Sequence, residues 1–454
     1  MSFTPLHVVI IGGGIGGLCL AQGLKAAGVS VAVYERNSSE TWLEGYRIHI
    51  NPVGSRALHA CLPPVLWDAF VATAGQPPAG LGFFTEQLQE MVVIADEFMS
   101  NSTGNPIDAH YPVNRLALRH LLLTGLEDVV HFEKTFEHYE RTQQGKVSAF
   151  FTDGTWATGD VLVAADGANS TVRQHYLPHA PRVEIGAAAV GGKFPLTDQT
   201  RAWLPRQLTT RMNLVLPPDR DCLFTAPFDH LHISAEALNS IHERVRATGL
   251  TPDLLVDHTQ DYLLWAFIAR ASEYPVGMSS LDEDGLLHVV DQMMEGWHPD
   301  LRRVVAASDP SSVSFSSFKA SMLTNPWEST NVTLLGDAIH NMPPVGGLGG
   351  NMALRDAWSL ARALTDVQQG TSSLLPALQA YEAEMRAYGF DAVRAALGYT
   401  QQAVTTKRME RLGSRTWFRI CRAIPPLKQV FEDQWTKPMR NPLKPANTRE
   451  TMRE

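Results

Sequence analysis

The residues of this sequence that could do chemistry lie in three glycine-rich segments, each directly after a short apolar run. The first segment runs from Gly12 to Gly17 and fits the pattern GxGxxG, with its third glycine at Gly17 and its second at Gly14. In that pattern the glycines permit a tight turn, let a pyrophosphate approach the backbone, and let a helix pack closely on its strand. Glu35, followed by Arg36, stands 18 residues after Gly17, where a carboxylate can accept hydrogen bonds from ribose hydroxyls. The spacing predicts a dinucleotide site and leaves NAD and FAD undecided.

The second and third segments each place an aspartate at the end of a predicted buried strand. Asp166 follows the run Val161 to Ala165, and Asp337 follows the run Val332 to Leu335. An aspartate beside glycines at a strand end can bind ribitol hydroxyls. The loop Gly346 to Asn351, which opens a helix, can present backbone N–H groups to the pyrimidine edge of a flavin. The three segments together favour FAD as the cofactor.

Composition limits the classes of protein that fit. The chain has 454 residues, 44% of them apolar and 19% charged, which predicts two or three folded domains. Its net charge of −9 disfavours a nucleic-acid partner. The four cysteines are far apart and predict neither a zinc cluster nor a redox disulfide. No apolar stretch approaches the roughly 18 residues of a membrane span, so we expect a cytoplasmic enzyme.

Hydrophobic periodicity predicts an α/β fold. A strand at 7–11, a helix at 15–27 and a strand at 30–34 form a βαβ unit, which predicts a parallel sheet. The pattern then changes to short strands between prolines and glycines, typical of an antiparallel sheet. We predict a discontinuous FAD-binding domain, a β-rich substrate domain and a helical C-terminal region. Their predicted ranges are 1–75, 105–180 and 300–375 for the first, 76–104 and 181–299 for the second, and 376–454 for the third.

Several side chains are candidates for the substrate side. His230 and His232 alternate along a predicted strand, so they would share a face and could act as acid and base. The alternative is that the two histidines are simply polar residues on a solvated sheet face. A metal site is disfavoured because the sequence has no third ligand near them. Arg211 and Trp265 could line an aromatic pocket or pack between domains. Pro343, in the third segment, would border the same pocket.

An apolar and basic stretch, Trp417 to Ile424, ends at two prolines. We expect it to pack as a terminal helix on the FAD-binding domain. Contact with a membrane surface is the alternative.

The three motifs, in this order, resemble those of the class A flavoprotein monooxygenases, the p-hydroxybenzoate hydroxylase family, over about residues 6 to 365. The resemblance implies a Rossmann-like βαβ FAD-binding domain, a second β-sheet substrate domain and a helical C-terminus. It also implies roles for single residues. Those implied to bind FAD are Gly12, Gly14, Gly17, Glu35, Arg36, Arg115, Asp166, Asp337, Leu348, Gly349, Gly350 and Asn351. One departure is Arg47, at a position where many relatives have glycine, and it could face the flavin or the cofactor phosphates.

The chemistry that the resemblance implies is monooxygenation. NAD(P)H reduces FAD, and a C4a-peroxyflavin formed with O2 transfers one oxygen atom to an aromatic or polycyclic small molecule. Hydroxylation is the leading reaction, and the same flavin could support epoxidation or Baeyer–Villiger insertion. Because the cofactor carries the difficult step, we expect no dedicated catalytic side chain. A reductase on the same scaffold and a prenyl-binding escort protein without flavin are the rival functions, and the sequence leaves the oligomeric state open.

Overall fold

The structure, a computed structural model, describes residues 5–38, 46–94, 104–230, 235–251 and 260–440. The strands are β1 His7–Ile11, β2 Ser30–Tyr34, β3 Arg47–Ile50, β4 Leu81–Phe84, β5 Glu90–Ile94, β6 Tyr111–Asn114, β7 Val130–His131, β8 Phe136–Arg141, β9 Val147–Phe151, β10 Trp156–Gly159, β11 Val161–Ala164, β12 Arg182–Pro195, β13 Met212–Val215, β14 Cys222–Phe228, β15 Tyr262–Arg270, β16 Asp309–Ser321 and β17 Val332–Leu334. The helices are α1 Ile15–Ala26, α2 Pro52–Cys61, α3 Pro64–Thr73, α4 Arg115–Leu123, α5 Thr171–Tyr176, α6 Asp198–Arg201, α7 Arg206–Thr210, α8 Ala235–Ala247, α9 Glu283–Met293, α10 Pro299–Ala306, α11 Asp337–His340, α12 Gly349–Gln368, α13 Leu374–Ala403, α14 Arg408–Ala423 and α15 Pro425–Arg440.

A five-stranded parallel sheet, in the order β17-β11-β1-β2-β7, forms the centre of the first part of the chain. Its strands are almost wholly apolar because both faces of the sheet are covered. Helices α1 and α12 pack against each other beside it, and their apolar residues share one core with the strands. The predicted βαβ unit is confirmed.

Two small sheets border this core. Strands β8, β9 and β10 form an antiparallel sheet, and β3 pairs antiparallel with β6. Strand Tyr111–Asn114 runs directly into helix α4, which begins at Arg115. Asn114 ends that strand and caps the following helix, its Oδ1 accepting a hydrogen bond from the Leu116 N–H at 2.9 Å.

A seven-stranded mixed sheet, in the order β16-β12-β15-β14-β13-β4-β5, forms the second large layer. Helices α9 and α10 cover one face, where Trp265, Phe267 and Val290 lie in a common core. The segment 76–104 contributes β4 and β5 to this sheet, and β16 joins it from the segment that follows residue 300. The domain boundaries themselves stay a prediction.

The helical C-terminal region is present. Helix α13 packs against α12, and α14 packs against the edge strand β5 of the seven-stranded sheet. Among the described residues, no helix is both long enough and apolar enough to cross a membrane.

Candidate active site

The three glycine-rich segments meet at one edge of the five-stranded sheet. Strands β1, β11 and β17 are parallel neighbours, and the segments follow their carboxyl ends at Ile11, Ala164 and Leu334. Ligands of open parallel sheets bind at this edge. The topology thus brings together Asp166 and Asp337, which lie 171 residues apart in the chain.

The three motif glycines of the first segment are glycine for different structural reasons. Gly12 has φ +111°, and a Cβ there would lie 2.3 Å from the carbonyl oxygen of Ala165. A Cβ on Gly17 would lie 2.1 Å from the carbonyl oxygen of Gly12, so this position needs glycine for packing the helix on the strand. A Cβ on Gly14 would meet no protein atom within 4 Å. The fold therefore requires Gly12 and Gly17, whereas Gly14 leaves space open beside the loop.

The carboxylate of Glu35 is buried and holds the same loop. Its Oε2 accepts a hydrogen bond from the Gly13 N–H at 2.8 Å and lies 3.1 Å from Nη2 of Arg119. The Nε of Arg119 donates to the Gly13 carbonyl at 2.7 Å. Sequence reasoning missed Arg119. Its spacing of four residues from Arg115 on one helix face was the available signal.

A cleft with a volume of about 220 Å³ lies along this edge. Its lining includes the four cationic side chains Arg36, Arg115, Arg119 and Lys134 together with Gly12, Gly14 and Asp166. Arg36 is exposed and Arg115 is half-buried. Such a cluster of positive charge beside open backbone N–H groups suits a pyrophosphate.

Asp166 has one satisfied and one unsatisfied carboxylate oxygen. Oδ2 accepts hydrogen bonds from the N–H groups of Thr171 at 2.8 Å and Val172 at 3.3 Å. Oδ1 is buried with no hydrogen-bond partner, and burial raises the pKa of this carboxyl. A buried acceptor in a cleft lining is costly unless a ligand donates to it. A sugar or ribityl hydroxyl of FAD would satisfy it, so the residues present fit this cofactor.

The third segment places Asp337 with its side chain exposed at the start of α11. The turn before it is held by Asp356, whose Oδ2 accepts from the Gly336 N–H at 2.6 Å and lies 2.7 Å from Nε2 of His340. Burial lowers the pKa of His340, but the charge of Asp356 and its hydrogen bond outweigh this, and the pKa is raised. Asp356 therefore fixes both the turn and the His340 ring, and it is a second residue that sequence reasoning missed.

The glycine loop before α12 is tied to strand β3. Nδ2 of Asn351 donates to the carbonyls of His49 at 2.8 Å and Gly347 at 2.9 Å, and its Oδ1 accepts from the Asn51 N–H at 2.9 Å. Leu348 and Pro343 are buried, whereas Gly349 and Gly350 are half-buried at the helix start. Asn351 thus fixes the loop conformation, and the N–H groups of the two glycines face no side-chain cap.

Strand β3 carries two unusual side chains, the buried Arg47 and the half-buried His49. Arg47 donates from Nε to the carbonyl of Pro227 at 3.1 Å, its Nη2 is buried without a partner, and burial lowers its pKa to about 10. The structure therefore places Arg47 at the contact with the end of β14, not in the lining of the dinucleotide cleft. Nε2 of His49 lies 2.8 Å from Nδ1 of His110, and burial lowers the pKa of both rings, to about 4 for His110.

The structure separates the predicted substrate residues. Arg211 donates to Glu90 at 3.1 Å, and Nδ1 of His230 lies 2.8 Å from Oδ1 of Asp261. Trp265 is fully buried in the core beneath α9 and α10, and its indole N–H donates to Ser308 at 2.7 Å. Packing, the alternative considered for Trp265, therefore describes its position. His232 lies outside the described residues.

The opposite face of the seven-stranded sheet carries a half-buried apolar surface. Leu214 is paired with Phe224, and Phe224 is paired with Ala266 on the next strand. These side chains, together with Met212, are partly exposed and pack on the same cluster as Val345 of the glycine loop. Sequence reasoning did not assign this face to the site, although its alternation along three strands was the available signal.

A second cavity, of about 340 Å³, lies on the other side of the loop that carries Asp166. It is lined by Arg173, Arg182 and Lys319, and none of the described residues in its lining is acidic. Arg182 is held by neutral acceptors, Oδ1 of Asn341 at 2.5 Å and Oδ1 of Asn169 at 2.9 Å. Asn169 also lines the dinucleotide cleft, so the two cavities adjoin. Among the described residues, no group of three or more side chains could hold a metal ion.

Comparison with known proteins agrees with this geometry. The model of the family described as FAD binding domain matches residues 5–178 and 291–396. The dual O-methyltransferase/FAD-dependent monooxygenase of Cercospora beticola is 31% identical over 88% of this chain. The match covers 46% of that protein, so the chain spans about half the length of this curated relative.

Two solved structures are similar to the whole arrangement. A putative FAD-containing monooxygenase from Photorhabdus luminescens is 34% identical, with a TM-score of 0.77, over 88% of this chain and 98% of that one. Klebsiella pneumoniae HpxO, complexed with FAD and uric acid, is 21% identical, with a TM-score of 0.73, over 96% of each chain. At that identity the second likeness shows the fold alone.

Proposed function

The chain belongs to the family of FAD-dependent monooxygenases that carry this FAD-binding domain, and on that premise we propose that it hydroxylates an aromatic or polycyclic small molecule with O2 and NAD(P)H. The observation that carries the proposal is that Val345, directly before the glycine loop, packs on the same buried cluster as the half-buried apolar residues of this sheet face, which Phe418 and Phe431 partly cover. A flavin ring held at that loop would lie beside an apolar surface on which an aromatic substrate can pack.

The residues at the sheet edge would each bind a different part of FAD. Glu35 and Arg119 hold the Gly13 peptide, so that the loop presents its N–H groups to the pyrophosphate. Asp166 offers an unsatisfied acceptor, and Asp337 offers an exposed carboxylate beside Gly349, to hydroxyl groups of the cofactor. Bound FAD would supply the hydride acceptor and the centre that reacts with dioxygen. The protein contributes position and an environment of low polarity.

An aromatic substrate class is supported by the half-buried apolar residues of this sheet face. Met212, Leu214, Phe224 and Ala266 offer apolar contacts with no charged side chain among them. The curated relative from Cercospora beticola combines a monooxygenase with an O-methyltransferase, and the Klebsiella pneumoniae structure contains uric acid. Hydroxyl groups on aromatic rings are acceptors for O-methylation, and the pairing of those two activities supports hydroxylation. Epoxidation or ring-oxygen insertion would be distinguished by the structure of the product.

The reductant is proposed to be NAD(P)H, and the cationic cavity beside Asn169 supports this. Arg182 presents positive charge there, and Lys319 adds to it although it also pairs with Glu184, outside the lining, at 3.3 Å; their neighbours in the lining are neutral or cationic. Phosphate groups of a dinucleotide would neutralise that charge. The cavity adjoins the FAD cleft, so a nucleotide anchored there could reach the flavin without a second glycine fingerprint.

The experiment that tests this function is anaerobic reduction of the bound flavin by NADPH and by NADH, with and without phenolic and polycyclic compounds. We expect reduction, followed at 450 nm by stopped flow, to be accelerated by at least about ten-fold by one compound class, because substrate completes the site. No reduction by either nucleotide under any condition would contradict the proposal. A colourless preparation that takes up no added FAD would instead support a non-enzymatic escort protein.

A further inference from the structure

Helix α14, Arg408–Ala423, exposes several large apolar side chains while it buries two arginines. The face that packs against the protein contains Arg411 and Arg415, which are 2% and 8% exposed, together with the apolar Phe418 and Cys421. The face turned outward contains Met409, 82% exposed, and Trp417 and Ile420, 40% and 39% exposed. A helix face that borders only water is usually polar. These exposed apolar side chains indicate that something apolar covers the outer face.

The inward arginines are fixed by specific partners. Arg411 donates from Nη2 to the carbonyls of Ala403 at 2.8 Å and Thr405 at 3.1 Å. Arg415 donates from Nη1 to Glu86 Oε2 at 2.8 Å and to the Leu216 carbonyl at 3.1 Å. Breaking a buried, hydrogen-bonded charge pair costs several kcal/mol, so the helix does not simply rotate to hide its apolar face. The orientation is a property of the folded protein.

The outward apolar residues lie on one side of α14. At about 3.6 residues per turn, Met409, Leu412, Trp417 and Ile420 fall on the same half of the helix, and Ile424 follows as its C-cap residue. Leu412 and Ile424 are 39% and 45% exposed. We call these five residues the α14 stripe. Contiguous exposed apolar surface of this kind marks an interaction site.

The charges beside the stripe discriminate between possible partners. Arg408 and Arg419 are exposed on α14, Arg422 is exposed but donates to the Glu90 carbonyl at 2.7 Å, and Glu410 on the same helix pairs with Lys407 at 2.7 Å. A second copy of the chain placed on this face by a two-fold axis would bring the arginines of the two copies close together, which is unfavourable. An anionic lipid surface complements both the arginines and the stripe, because amphipathic helices bury apolar residues at the depth of the headgroups.

We propose that the α14 stripe and its flanking arginines form a binding surface for anionic membranes, on which the folded enzyme lies without spanning the bilayer. Lipid contact would bury the five apolar side chains, and each arginine would approach a phosphate or carboxylate of the headgroups. Sequence reasoning favoured packing for the stretch from Trp417 to Ile424. The stretch does pack, but against strand β5 of the seven-stranded sheet and not on the parallel sheet of the FAD-binding domain: Phe418 and Cys421 lie inward, while Trp417 and Ile420 face outward.

The test is co-sedimentation of the full-length FAD-loaded protein with vesicles of phosphatidylcholine alone and of phosphatidylcholine with phosphatidylserine. We expect binding to the anionic vesicles, lowered at least about ten-fold by Ile420→Glu, because that change removes an apolar contact and adds a negative charge. Arg419→Gln should lower binding about five-fold. The matched control is Val276→Glu, since Val276 is fully exposed elsewhere on the surface. It should bind like the unaltered protein.

Three results would overturn the proposal. These are an absence of sedimentation with either vesicle, an equal loss of binding in Val276→Glu, and a dimer in sedimentation equilibrium that Ile420→Glu dissociates. The last would assign the stripe to a second copy. FAD content and thermal unfolding, measured on each variant, should match the unaltered protein because the substituted side chains are exposed.

Discussion

Arg119 and Glu35 hold the two ends of a single peptide group. Glu35 Oε2 accepts from the Gly13 N–H at 2.8 Å, Arg119 Nε donates to the Gly13 carbonyl at 2.7 Å, and the two side chains are paired at 3.1 Å. The glycine loop therefore owes its conformation to a helix about 100 residues further along the chain as well as to its own sequence.

Arg119→Gln should weaken FAD binding by about ten- to a hundred-fold, because charged hydrogen bonds contribute about 1.5 to 3 kcal/mol. The measurement is the dissociation constant of FAD from the apoprotein, followed by flavin fluorescence. Arg220→Gln is the control, since Arg220 makes an exposed ion pair with Glu273 on the other sheet. Equal affinities of the two variants would show that Arg119 does not organise the loop.

Two glycines in the same loop should respond differently to alanine. Gly12→Ala places a Cβ 2.3 Å from a backbone oxygen at a φ of +111°, so the apoprotein should be destabilised. Gly14→Ala meets no protein atom within 4 Å, so the apoprotein should keep its melting temperature and lose FAD affinity at least about ten-fold.

Gly398→Ala is the control for this pair, because its added Cβ also has space and the residue lies in α13. It should change FAD affinity little. Unaltered FAD binding by Gly14→Ala would mean that the pyrophosphate does not pass beside Gly14.

Arg182→Gln should raise the dissociation constant of NADPH at least about five-fold with little change in FAD content, because a charged hydrogen bond to phosphate is lost. The reductive half-reaction, measured anaerobically over a range of NADPH concentrations, gives this constant and the limiting reduction rate. Arg303→Gln is the control, since Arg303 stacks over Trp203 at 3.9 Å and lies outside the cavity lining. A changed limiting rate with an unchanged constant would contradict the assignment.

The sequence was sufficient to predict the parallel sheet and its glycine segments, because these depend on local patterns of strand, turn and helix. The side-chain hydrogen bonds that hold the glycine segments in place do not depend on such patterns. Asp356 is 20 residues from Gly336 and Arg119 is 106 from Gly13, and nothing local marks either contact. For the same reason the burial of Trp265 and of the α14 arginines Arg411 and Arg415 could not be predicted, since each depends on which face a distant element covers.

Asp221 should make stability depend on pH. It has 4% exposure, an unpartnered buried Oδ1 and a pKa that burial raises to about 6. Because the folded pKa exceeds the unfolded one, the folded state binds more protons, and the free energy of unfolding should fall as pH rises from about 4 to 6.

Asp221→Asn should remove this loss and stabilise the protein above pH 6 by up to about 3 kcal/mol, as two pKa units correspond to about 2.7 kcal/mol. Asparagine also tolerates the φ of +62° at this position. Denaturant unfolding at pH 4.5 and pH 7.5 checks this, with Asp219→Asn as the exposed neighbour for control. A variant with the same pH dependence as the unaltered protein would contradict the assignment.

The proposed reaction transfers one oxygen atom from dioxygen to an organic substrate. Turnover under ¹⁸O₂ with NAD(P)H and the compound that most accelerates flavin reduction, followed by mass spectrometry of the product, checks this transfer. We expect one labelled oxygen atom per product molecule and the other in water. An unlabelled product, or NAD(P)H consumption that yields only hydrogen peroxide, would contradict it and indicate a reductase or oxidase on the same fold.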